Sequence, residues 1–127
     1  MRLLPVVVLV SAFLAPAYGT SHAALPCTLG MEPSVLVKVV DAGGNPQPQA
    51  NVTFTLDGGP LEEQGCHRVF GPWPGTGCQE WYGGLEQLGM FTVTALGAGG
   101  TSATANVPVT VMGRCHVETQ SVTLVLQ

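Results

Sequence analysis

Five side chains in this sequence have the chemistry to hold a soft metal ion or to act as nucleophile and base: Cys66-His67, Cys78 and Cys115-His116. Thiolate and imidazole are the ligands of zinc and copper. Spacing argues against that use, because neighbouring side chains on an extended chain point to opposite sides, and the cysteine and histidine of each pair cannot share one ion. With Cys27 the cysteines number four, an even count, and all follow an apolar N-terminal stretch that reads as an export signal. In an oxidising compartment thiols are consumed as disulfides. Two disulfides are therefore expected, and of the three connectivities the favoured one is Cys66–Cys78 with Cys27–Cys115. The first closes a short loop; the second ties the start of the domain to the segment before its last strand.

Other chemistries find little support. No G-x-S-x-G element is present, and Ser21, Ser34, Ser102 and Ser121 fall in loop, turn and strand contexts. Glu62 and Glu63 are adjacent and so diverge, while Glu80, Glu86 and Glu118 are isolated in the sequence. The Gly-Gly pairs follow strands and have no helix behind them to hold a phosphate. A non-catalytic chain is expected, without cofactor or metal. Only 9% of residues are charged, the net charge is −4, and four Lys/Arg residues make no basic patch, which argues against nucleic acid and anionic lipid as partners. Asn51-Val52-Thr53 matches a glycosylation sequon but lies in an expected strand with Asn51 facing out.

Binding is the chemistry the residues favour. Residues 58–77, GGPLEEQGCHRVFGPWPGTG, leave the regular pattern for about twenty residues, and so long a loop in a small domain is either functional or clamped. Cys66 and Cys78 are the clamp. Phe70 and Trp73 lie inside it and Trp81-Tyr82 just after it, a set able to stack on a sugar or to anchor a protein partner. The competing use of Trp73 and Trp81 is to cover the disulfide and plug one end of the domain.

These loops need a scaffold, and the pattern for it is period-2. Val35, Val37 and Val39 alternate with Leu36, Lys38 and Val40, and Val52, Phe54 and Leu56 alternate with polar residues; these read as two strands of one sheet, joined by a connection with Pro46 and Pro48. Gln79–Tyr82 is a short expected strand turned at Gly83-Gly84. Phe91, Val93 and Ala95 then point inward, as do Ala105, Val107, Val109 and Val111 beyond the Gly97–Gly100 turn. Pro108, on the opposite face, marks an edge strand or the neighbour of a bulge. Residues 112–120 form a loop carrying Cys115, and Val122, Leu124 and Leu126 close the sheet. With 17 glycines and 10 prolines as punctuation, the expectation is an all-β fold of about seven strands, a single antiparallel sandwich of transthyretin-like or Ig-like form.

Within it the run Val37-Lys38-Val39-Val40-Asp41-Ala42-Gly43-Gly44-Asn45-Pro46, followed by Ala50-Asn51-Val52, resembles the start of the carboxypeptidase regulatory-like domains. Gly89-Met90-Phe91-Thr92-Val93 is similar to that family's G-x-F/Y-x-V strand. The resemblance implies a transthyretin-like sandwich serving as a folding or binding accessory. The hydrolases of the transthyretin-like fold end in Tyr-Arg-Gly-Ser, whereas this sequence ends Leu124-Val125-Leu126-Gln127.

Residues 1–23 are expected to be a signal peptide, from Arg2 and the apolar run Val6–Leu14, with exits after Gly19 or Ala23; residues 24–127 form the domain. Ala24 and Pro26 fit a lipid-attachment box poorly, so Cys27 is assigned to a disulfide. The domain is expected to be monomeric, without a membrane span, and secreted, periplasmic or in the cell envelope. The leading function is an exported module binding an unknown protein or carbohydrate through its clamped aromatic loop. The alternatives are a structural envelope protein docking by its edge strand near Pro108, and a small Cys/His metal-binding protein.

Overall fold

Alternation of Val35, Val37 and Val39 with Leu36, Lys38 and Val40 makes β1 (Pro33–Asp41), which buries the first three on one face. The structure, a computed structural model, describes Cys27, residues 29–72 and residues 75–127; the expected signal peptide, residues 1–23, and Trp73 lie outside the described residues. The remaining strands are β2 (Asn51–Leu56), β3 (Glu62–Glu63), β4 (Gly65–Val69), β5 (Cys78–Leu85), β6 (Gly89–Leu96), β7 (Ser102–Val109) and β8 (Gln120–Leu126), and the described residues contain no helix. They form two four-stranded sheets, ordered β4-β5-β1-β8 and β3-β2-β6-β7. All pairs are antiparallel except β1 with β8, which run parallel.

The fold is the expected all-β sandwich, with eight strands and both expected disulfides, Cys27–Cys115 and Cys66–Cys78. Inner faces meet around the Phe54–Phe91 ring pair, 5.6 Å between centroids, flanked by Trp81, Val93, Val109 and Leu124. Burial of these side chains away from water is the main force holding the sheets together.

Several expected details differ. β1 and β2 do not pair; they lie in opposite sheets, because the connection at residues 42–50 carries the chain across the roughly 10 Å between sandwich layers. That crossing starts from a tight turn. The Asp41 carboxylate accepts the N–H groups of Asn45 and Gly43, each at 2.9 Å, and the Asn45 side-chain amide; these bonds hold its pKa below the ordinary carboxylate value, Asn45 contributing most. Two successive strands in opposite sheets also separate this topology from the Ig constant-type arrangement, where the first two strands share a sheet. β5 does not turn at Gly83-Gly84 but runs through them to Leu85, because its ladder with β1 continues through Val35–Gly83 to Pro33–Leu85; both glycines sit where a larger residue would collide with a neighbouring side chain. The strand expected to reach Val111 stops at Val109, leaving Val111 49% exposed. Pro108 does lie on an edge strand, β7.

Candidate functional site

Residues 58–77 are not the irregular loop expected: they contain β3 and β4, each the outer strand of its own sheet. Neither strand has the apolar alternation of a core strand. β4 is bent by irregular pairing with β5 on either side of Arg68, and Cys66–Cys78 staples the two together with Cα atoms 5.7 Å apart. The tip beyond is held by its own backbone: Phe70 donates to Gly77 O at 3.0 Å and Thr76 donates to Phe70 O at 3.0 Å. Its base is held too, by the Cys78 N–H on Pro48 O at 2.9 Å and the Gln49 amide on Thr76 O at 2.6 Å. The disulfide clamp is therefore a stapled hairpin and not a free loop.

Pleating then separates the candidate aromatics. On β5, Trp81 stands opposite Val37 and points inward, 6% exposed, while Tyr82 stands opposite Leu36 and Gly65 on the outer face. Trp81 is thus a core side chain, which corrects its expected place on a ligand platform and agrees with its alternative role as a plug. Phe70 is half-buried at the hairpin tip, away from Tyr82 along the strand pair. Trp73 lies outside the described residues. Among the three described aromatics of that set, Tyr82 lines a concavity.

That concavity is an open groove of about 570 Å³ where the chain passes from β3 to β4, lined among others by Phe54, Glu62, Glu63, Gln64, Tyr82 and Gln87. Glu62 pairs across the strands with Phe54 and so shares its inward face, while Glu63 pairs with Thr53. Gln64 is the crossing residue. Its N–H donates to Val52 O at 2.9 Å, but its side-chain amide is buried with neither Nε2 nor Oε1 hydrogen-bonded. Two glycines make room for this arrangement. A Cβ at Gly83 would come within 2.7 Å of Gln64 Nε2, and a Cβ at Gly65 would collide with the Tyr82 ring, which also receives His67 edge-on at 6.4 Å. The groove carries two carboxylates and two amides, and none of its lining residues is Lys, Arg or His. Gln64 was not legible as a site residue: it is one polar residue in a polar run, and only the buried, unpartnered amide distinguishes it.

Both described histidines lie against carboxylates. His67 Nε2 lies 3.9 Å from Glu80 Oε1, and His116 Nδ1 is paired with Glu86 Oε1. Glu86 is the hub of its surroundings. Its backbone sits at φ 54°, left-handed for a non-glycine residue, and its carboxylate accepts the N–H of Glu32 at 2.8 Å and of Val117 at 3.0 Å as well as bonding His116. These partners, the Glu32 N–H first, hold its pKa below the ordinary value. The knot ties β5 to the segments that Cys27–Cys115 also links, so His116 and Cys115 serve the same end of the domain. Among the described residues no three His, Cys, Asp or Glu side chains converge as a metal site, and none of the cysteines is free.

Comparison with protein-family models, curated proteins and solved structures finds no match to this chain. No helix among the described residues is long and apolar enough to cross a membrane. The two disulfides are the mark of an oxidising compartment.

Proposed function

We propose that this chain is a non-catalytic, exported β-sandwich module of the carboxypeptidase regulatory-like kind, which binds a partner at the groove beside its disulfide-stapled hairpin. One observation carries the reading: a groove of about 570 Å³ whose crossing residue, Gln64, holds a buried side-chain amide without a partner. Ligand sites commonly span about 300–1,000 Å³ and combine apolar walls with a few placed polar groups. A buried amide without hydrogen bonds is costly to keep, and a ligand that completes it recovers that cost. The β-sheet scaffold, Cys66–Cys78 and the backbone bonds of the hairpin pre-organise the surface, which limits the entropy lost on binding. Support for the family lies in the Asp41–Pro46 turn and the Gly89–Val93 strand named above, which fall at a sheet-to-sheet crossing and in an inner strand.

Its test is an array of oligosaccharides and peptides probed with the oxidised protein, wild type against Tyr82→Ala and Gln64→Leu. Signals lost in either variant while the domain still melts cooperatively, within about 8 °C of wild type, support the reading; a signal that survives both places binding elsewhere.

A second reading rests on β8. It is the outer strand of its sheet, paired on one side by β1, and its sequence Gln120-Ser-Val-Thr-Leu-Val-Leu has neither proline nor charge to blunt the other side. An envelope protein docking by strand addition would use it in preference to β7, where Pro108 interrupts the donors.

A further inference from the structure

The two halves of Cys66–Cys78 are unequally placed. Cys66 lies on β4, the outermost strand of its sheet, and is exposed, whereas Cys78 on β5 is 6% exposed. We propose that this disulfide is a thiol-exchange site, at which an external thiolate attacks the Cys66 sulfur, forms a mixed disulfide there and releases Cys78.

Thiol–disulfide exchange depends on which sulfur the attacking thiolate can reach, and exposed disulfides are the ones that open readily. Arg68, two positions beyond Cys66 on the same strand, is exposed, and among the described residues its guanidinium is in no ion pair, so it favours the approach of an anion. The reduced form is provided for as well. Arg68 O lies 3.2 Å from the Cys66 sulfur and 3.3 Å from the Cys78 sulfur, and Glu80 O lies 2.9 Å from the Cys78 sulfur. A disulfide has no S–H to give these carbonyls, but two thiols have, so each sulfur finds an acceptor already in place on reduction.

Reclosure is built in too. Backbone pairing joins the strands on both sides of the staple, Gly65 with Tyr82 and Val69 with Cys78, and the tip is tied by the Phe70 N–H on Gly77 O. These bonds involve no sulfur and hold the two thiols near one another after the bond opens. Cys27–Cys115 has no such frame, because Cys27 lies outside any strand and its partner is 88 residues away. Gly65 and Tyr82 also line the groove, so the exchange takes place beside it.

A thiol is the only co-reactant needed. Its sulfur bonds to Cys66 as the Cys66–Cys78 bond breaks, and Cys78 takes a proton from water. A second thiol then attacks the reagent's sulfur in the mixed disulfide, and Cys66 leaves and is protonated. The two electrons gained by the cysteine pair come from the two reagent thiols, which end as a disulfide.

The test treats the folded, oxidised protein with reduced glutathione and, separately, with reduced thioredoxin, quenches with an alkylating reagent, and maps the labelled cysteines by peptide mass spectrometry. Cys66 and Cys78 should be labelled about tenfold or more faster than Cys27 and Cys115. Opening by glutathione supports a small thiol as the reagent; opening by thioredoxin alone supports a protein dithiol. The proposal fails if Cys27–Cys115 opens first, if the two open together, or if neither opens until denaturant is added. A second readout is Cys78→Ser, whose remaining Cys66 thiol should take up glutathione from oxidised glutathione in the folded protein, while Cys66→Ser should leave Cys78 unmodified. The reverse pattern, with Cys78 modified and Cys66 not, would overturn the direction of attack.

Discussion

Trp81 and Tyr82 are chain neighbours with opposite fates, and replacing each in turn tests the separation of core from groove. Trp81 is 6% exposed among Val37, Phe54 and the rest of the core. Truncating a buried tryptophan to alanine costs about 3–5 kcal/mol, from lost transfer free energy and the cavity left behind. An independent estimate agrees: a buried large ring removes roughly 150–250 Å² from water, worth about 4–6 kcal/mol as an upper bound. For a domain of about 100 residues each kcal/mol shifts Tm by roughly 4–8 °C, so Trp81→Ala should lower Tm by at least about 12 °C. Tyr82→Ala, on the outer face, should cost about 1 kcal/mol and leave a folded domain. The assay is far-UV circular dichroism on heating and in urea, because the sequence has two tryptophans and the substitution removes one fluorophore. A Trp81→Ala protein that melts within about 4 °C of wild type would refute the placement of Trp81 in the core.

Other consequences follow from the same contacts. Serine pairs at Cys27/Cys115 and at Cys66/Cys78 should destabilise unequally, since separations of 88 and 12 residues give about 4.6 and about 3 kcal/mol by loop-closure entropy; urea midpoints check the order. Glu86 has a folded pKa below its ordinary value of 4.5, so its stabilisation is present above that value and is lost as pH falls through the folded one. The stability of Glu86→Gln should therefore fall less steeply below about pH 4.5 than that of wild type, read by urea midpoints across the acid range. Gly84 sits at φ 68°, and an added Cβ would lie 2.8 Å from the ring of Phe91, which is 0% exposed; Gly84→Ala should cost about 1–3 kcal/mol by thermal melting, from strain and overpacking together.

Much of the scaffold was legible because burial on one face forces period-2 alternation, and Val35/Val37/Val39, Phe91/Val93/Ala95 and Leu124/Leu126 all point inward as their spacing requires. The even cysteine count and the position of each cysteine carried the disulfide pairing. Alternation does not say which strand a strand will neighbour, and so β1 and β2 were expected in one sheet and lie in two. β3 and β4 leave no alternation to read because an edge strand with one neighbour needs no apolar face: Glu62-Glu63 pair by backbone, and Gly65–Val69 by backbone and the Cys66–Cys78 staple. Gly83 and Gly84 carry a turn signature because glycine signals both positive φ and lack of a Cβ; here Gly83 serves the second use, leaving room for the Gln64 amide inside a strand. The groove depends on Gln64, Tyr82 and Gln87 meeting across three segments, and the Glu86–His116 pair spans 30 residues. Such distances leave no spacing motif to read.

The most direct measurement of the central claim is an amide chemical-shift map of the isotope-labelled, oxidised protein titrated with the tightest-binding compound from the array. Shifts are expected to concentrate on Glu62 to Gly65, Tyr82 to Leu85 and the Gln64 and Gln87 side-chain amides, with the Trp81 indole unmoved. Shifts centred instead on the β8 edge or the far end near Glu86 would contradict it.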